Sequence, residues 1–161
     1  MRKAIGSTGG VDAGRWMTLA LHHGNYVEVR VKTFWAVGIG AAAGGLARYY
    51  LATAFYERYG GTFPWATLLI NVTGSLLLGF IIQYAVATPA VLPEVRLLLT
   101  TGFCGGYTTF STFSYETAAL LEEGRYERAE LYVGGSVVLA LAGTFAGFAL
   151  ARQLVSMRKG L

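Results

Sequence analysis

Between Thr100 and Glu116 the chain reads Thr-Thr-Gly-Phe-Cys-Gly-Gly-Tyr-Thr-Thr-Phe-Ser-Thr-Phe-Ser-Tyr-Glu. This run sits inside a segment long enough to cross a bilayer, yet it is rich in glycine, hydroxyls and rings. Three glycines in five residues, Gly102, Gly105 and Gly106, predict a helix interrupted at mid-membrane depth. Hydrocarbon offers freed peptide groups no partner, so broken backbone there must be buried in protein or line a polar site. Unwound carbonyls take cations, while amides and side-chain donors take anions. The chemistry indicated is that of an ion pathway.

Beyond the glycines, Phe110, Phe113 and Thr117 fall at i, i+3 and i+7 on one helix face. Thr108, Thr112 and Tyr115 occupy a neighbouring face. An aromatic stripe by itself is packing, but packing does not call for Ser111, Thr112 and Ser114 beside it. Ring edges carry positive potential, so two phenylalanines edge-on can face an anion without a fixed charge. Glu116, one turn on, reads as a polar cap near the surface or a partner of Arg48 or Arg96, with proton relay as the alternative.

Other spans supply further polar groups. Asn71 stands among Thr73, Gly74 and Ser75 in an apolar run. It is either glue between helices, worth roughly 0.6–2 kcal/mol, or a pore residue whose NH2 donates to an anion. Arg48 lies about two-thirds along the first apolar run. It either snorkels to the interface or faces a vestibule that attracts anions. Tyr132 and Ser136, at i and i+4 in the last run, suit an aromatic belt and a back-bonded helix serine. They also suit hydroxyls offered to the polar track of the third span.

The elements that must hold these groups are four apolar blocks at approximately 33–54, 66–87, 95–121 and 131–153. Each is long enough for a hydrocarbon core of ~30 Å. Small-xxx-small pairs at Gly40/Gly44 and Gly143/Gly147 let helix backbones approach closely. Phe63-Pro64-Trp65 marks a membrane entry, with proline near a first turn and an interfacial tryptophan. The reading is an all-α membrane protein with four transmembrane helices, the third one broken, and a channel domain over 33–153. Residues 154–161 form a tail. The chain of 161 residues is 54% hydrophobic and 14% charged, which leaves no room for a soluble catalytic domain.

Residues 1–32 mix glycine, arginine, threonine and histidine, and the run from Trp16 to Leu21 is too short for a signal-peptide core. They read as a disordered extension or a misassigned start, with translation beginning near Met17, Val29 or Val31. The net charge of +4 comes from residues scattered at span ends rather than in a patch, which argues against nucleic acid. Cys104 is the single cysteine and His22 and His23 lie outside the spans, so neither an internal disulfide nor a thiol or imidazole metal centre is supported.

Asn71-Val-Thr-Gly-Ser75, the run Gly102 to Glu116, and Gly44-Gly-Leu-Ala-Arg48 together resemble the CrcB/Fluc family of fluoride channels. The resemblance covers roughly residues 33–153. It implies an antiparallel, dual-topology homodimer in the cell membrane (the inner one where there are two) that passes fluoride out of the cytoplasm and limits its toxicity. By the same resemblance, Phe110 and Phe113 would line the pore, with Asn71 beside them and Arg48 near a vestibule. Ser111, Thr112, Tyr132 and Ser136 would form a polar track. Gly105 and Thr108 would give backbone carbonyls to a structural, untransported Na+ at the dimer centre. The side chains of Cys104 and Tyr107 would matter less than backbone shape.

Charge bias bears on topology. With both ends and the middle loop on one side, that side carries nine Lys or Arg against three on the other. A start at Val31 makes it five against three, compatible with both orientations. The alternative is a small proton-coupled multidrug exporter, which needs an acid in the first span, where Arg48 is the only charge. No nucleophile–base pair suggests an enzyme.

Overall fold

The computed structural model describes residues 13–88 and 91–159, and every regular element among them is helical. The chain divides into two units, Met1–Lys32 and Thr33–Leu161. Helix α1, Ala13–Tyr59, contributes to both. Residues 1–12 of the expected disordered extension lie outside the described residues, and from Ala13 the backbone is helical instead. In this first unit Lys32 pairs with Glu28 at 2.7 Å, and the hydrogen bond from the ammonium holds the Glu28 carboxyl below the usual carboxylate range.

In the second unit α2 spans Trp65–Ala87, opening directly after Pro64. The third apolar block is divided into α3 (Pro93–Leu97), a π-helical stretch (Leu98–Cys104), α4 (Gly105–Tyr107) and α5 (Phe110–Glu122). Helix α6 runs from Tyr126 to Lys159, so the expected C-terminal tail is largely helix. Gly124, at φ 71, makes the turn between α5 and α6 in a conformation that glycine adopts without strain.

Among the described residues two helices are long and apolar enough to cross a membrane, Trp65–Ala87 and Tyr126–Arg158. Only 28% and 17% of their most apolar windows are buried, so they present apolar surface outward, unlike the core helix of a soluble protein. The other two expected spans lack that signature for physical reasons. Glycines, tyrosines and Arg48 dilute the apolar character of α1, and the third block is not one helix.

Glycine sets how close these elements come. A Cβ at Gly147 in α6 would overlap the Leu76 carbonyl of α2, and one at Gly106 would overlap the Ala41 carbonyl of α1. Here lies a correction. Gly105 has helical φ/ψ of −65 and −38, and Gly102 and Gly106 also lie within helical segments. The backbone leaves the helix two residues later, at Thr108 (φ −79, ψ 158) and Thr109 (φ −151, ψ 116). Gly102 and Gly106 give proximity to α1, Gly105 gives none, and none of the three interrupts the helix.

Candidate functional site

The Thr108 N–H still donates to the Cys104 carbonyl at 2.9 Å, whereas the peptide groups of Thr109 find their partner across the fold, in α2. The Thr109 N–H donates to Asn71 Oδ1 at 2.8 Å, and Asn71 Nδ2 donates back to the Thr109 carbonyl at 3.1 Å. One side-chain amide thus replaces a helical turn's worth of pairing. Thr109 also caps α5: its Oγ1 accepts from the Thr112 N–H at 3.2 Å and donates to Thr112 Oγ1 at 3.0 Å. Thr109, buried and central, escaped the sequence reading. Its signal was present, since a threonine just before a periodic segment is a common N-cap.

These pairings divert bonds that would otherwise close the helix. The Thr109 N–H would meet the Gly105 carbonyl in a continuous α-helix, and the Thr112 N–H would meet that of Thr108. Both donors go elsewhere. The carbonyls of Gly105 and Thr108 therefore lose their helical donors at the break, which is the donor set a hard cation takes.

Beside the break lies a cavity of about 300 Å3, whose walls include Asn71, Ser75, Thr108, Phe110, Phe113 and Ser136. Phe113 packs on Tyr132 with centroids 5.2 Å apart and on Phe110 at 5.6 Å. Phe110 is 79% exposed and stands at the open side. Ser136 is buried, and its hydroxyl has no hydrogen-bond partner among the described residues.

Tyr132 is fully buried one turn before Ser136 and donates to Glu116 Oε2 at 2.6 Å. Thr67 donates to Glu116 Oε1 at 2.9 Å. Glu116 is thus held by two hydroxyls of α2 and α6, where the sequence suggested Arg48 or Arg96. Thr112 and Glu116 line a second cavity, of about 510 Å3, together with Ala52, Tyr56 and Trp65.

The structure thus gathers Asn71, Thr108, Phe110, Phe113 and Ser136 around one cavity and sets Thr112 by the other. Ser111 is exposed, 3.3 Å from Thr109 Oγ1, and lines neither; half-buried Arg48 also lies apart from both. Several other hydroxyls serve their own helix: Ser114 donates to the Phe110 carbonyl, Thr117 to that of Phe113 and Thr108 to that of Cys104. Tyr107 is not the indifferent side chain the sequence suggested, for it is buried and its phenol lies 3.0 Å from Thr73 Oγ1.

Residues 35–148 match the family described as CrcB-like protein, Camphor Resistance (CrcB). The chain is similar to a fluoride-specific ion channel FluC of Geobacter sulfurreducens, 51% identical over 77% of this chain and 100% of the relative. It is 50% identical to one of Chlorobaculum tepidum, over 76% of this chain and 96% of that protein. A third, from Rhizobium meliloti, is 44% identical over 74% and 95%.

Proposed function

The chain belongs to the CrcB family, and we propose that it is a fluoride channel whose anion passes the cavity between Asn71, Phe113 and Ser136. The observation that carries this reading is the Ser136 hydroxyl, buried without a partner among the described residues in a cavity also lined by the Asn71 amide and two phenyl rings. A buried donor left unmade costs about 1–3 kcal/mol, and an anion in the cavity removes that cost. Asn71 has two N–H bonds and commits one to the Thr109 carbonyl, leaving the second for the anion. The edges of Phe110 and Phe113 add positive potential without a fixed charge.

Fluoride is the halide with the tightest hydration shell, so it needs closely spaced donors to replace that shell. Among the described residues no lysine or arginine lines this cavity. Binding is therefore strong enough for entry and weak enough for release, the condition for conduction. Movement is passive, and an ion concentrated in the cytoplasm leaves through it, which lowers its toxicity there.

The outward apolar surface and the exposed Phe110 support a second copy, antiparallel to the first, closing the open side of the cavity in the cell membrane. In that dimer the Gly105 and Thr108 carbonyls of both copies would meet near the two-fold axis and hold a structural Na+. The ion would supply charge to satisfy carbonyls that lost their helical donors, and would not itself be carried. A proton-coupled exporter is not favoured, because both acids that line the larger cavity are already engaged, Glu116 by Thr67 and Tyr132 and Glu123 by Arg125.

The test is fluoride efflux from liposomes containing the purified protein, read with a fluoride electrode. Wild type is expected to empty the vesicles, with Ser136→Ala and Phe113→Ile slower by about tenfold, the factor that corresponds to ~1.4 kcal/mol. Unchanged flux in both variants returns these residues to packing. In the same vesicles, replacing sodium by a large organic cation is expected to slow efflux and reduce cross-linked dimer. Full flux and full dimer without sodium would end the role of the ion.

A further inference from the structure

Thr73 Oγ1 lies 2.7 Å from the Leu69 carbonyl and 3.2 Å from that of Ile70, the back-bonding habit of a helical threonine. Its one proton is therefore committed to its own helix. The Tyr107 hydroxyl stands 3.0 Å from the same oxygen, and with that proton spent the phenol is the donor. Tyr107 is the last residue of α4, 8% exposed and stacked on Phe103 at 5.8 Å. Gly74, next to Thr73, makes room for it: a Cβ there would overlap Thr108 Cγ2 and stand 3.1 Å from the Tyr107 ring.

We propose that Tyr107 and Thr73 form a one-way latch that positions the Thr108–Thr109 break against α2. Asn71 holds the break on its C-terminal side and the latch holds the turn on its N-terminal side. Between them they fix Thr108, which walls the anion cavity. The functional part of this inference rests on the channel reading; the structural part does not. Tyr107 and Thr73 are positioning residues, since neither lines that cavity.

Direction makes the latch asymmetric. In Tyr107→Phe the threonine keeps its proton on Leu69 and no donor is orphaned. In Thr73→Val, nearly the same shape, a buried phenol loses the acceptor it has among the described residues, in surroundings where lipid offers none. The turn then shifts to satisfy it, and the positioned break loses population. Adding Tyr107→Phe to Thr73→Val removes the orphan and returns the break to the population it has in Tyr107→Phe, where the latch is lost but no donor is left unpaired.

The experiment measures fluoride efflux and thermal midpoint for the two single variants and the double. Tyr107→Phe, which loses the latch alone, is expected about threefold slower than wild type and Thr73→Val roughly tenfold slower or more, with the double variant back at the level of Tyr107→Phe. Rescue by a second deletion is what a lost contact alone does not give, since removing the second partner of a contact already lost does not regain it. Equal single variants, or a double slower than Thr73→Val, would overturn the latch. If wild type carries no fluoride, the channel reading fails by itself, and the order of the three thermal midpoints still decides the latch.

Discussion

The α2–α6 pair and the segment from Leu98 to Glu122 use the same packing device and reach opposite outcomes. In both, glycine lets backbone meet backbone: Gly147 against the Leu76 carbonyl, Gly106 against the Ala41 carbonyl. Yet α2 and α6 stay helical over 23 and 34 residues, while the third block passes through a π-helical stretch and then becomes extended at Thr108 and Thr109. Glycine density is therefore not what ends a helix here. The difference is a side chain, Asn71, able to take both peptide groups of Thr109.

Asn71→Leu strikes that difference hardest. It keeps bulk in α2 and orphans the N–H and carbonyl of Thr109, at about 1–3 kcal/mol each. Thermal unfolding in detergent is expected to show a loss of roughly 2–6 kcal/mol, with efflux abolished. A stable, conducting Asn71→Leu protein would show that the break holds itself. Gly147→Leu attacks the regular region instead. Overpacking against backbone is expected to destabilise by about 1–3 kcal/mol, while the protein that still folds keeps its fluoride-over-chloride preference. A changed preference at unaltered stability would mean that the α2–α6 contact shapes the pathway as well. The smallest effect belongs to Thr109→Val, which removes the cap of α5 at about 1 kcal/mol and slows efflux modestly. Thr109→Ser keeps the oxygen and should restore both; failure of that rescue would shift the role from the hydroxyl to the methyl.

Local features of the sequence were read well where the physics is local. The apolar run after Pro64 places α2 within a residue of its start, because proline and the loss of charge both mark it. The block at 131–153 understates α6, since Glu127, Arg128 and Glu130 are good helix formers that a hydropathy reading discards. The break was displaced by two residues because its cause lies 38 residues away, in the Asn71–Thr109 pairing. The partners of Glu116 were missed for the same reason: Thr67 is 49 residues upstream. Residue types marked Asn71, Phe113 and Ser136 as candidates, but only the fold shows Ser136 unpartnered among the described residues and the Tyr107 hydroxyl beside Thr73.

The pairing of Asn71 with Thr109 has one more consequence. Its amide offers a donor and an acceptor side by side, as a neighbouring strand would, so an all-helical protein carries a single rung of ladder. Strands are admitted to hydrocarbon only in closed barrels, because an open edge leaves unpaired peptide groups and invites another chain to add to it. A rung made from a side chain has no continuing strand behind it. It satisfies the extended residue and presents no edge on which a second chain could build.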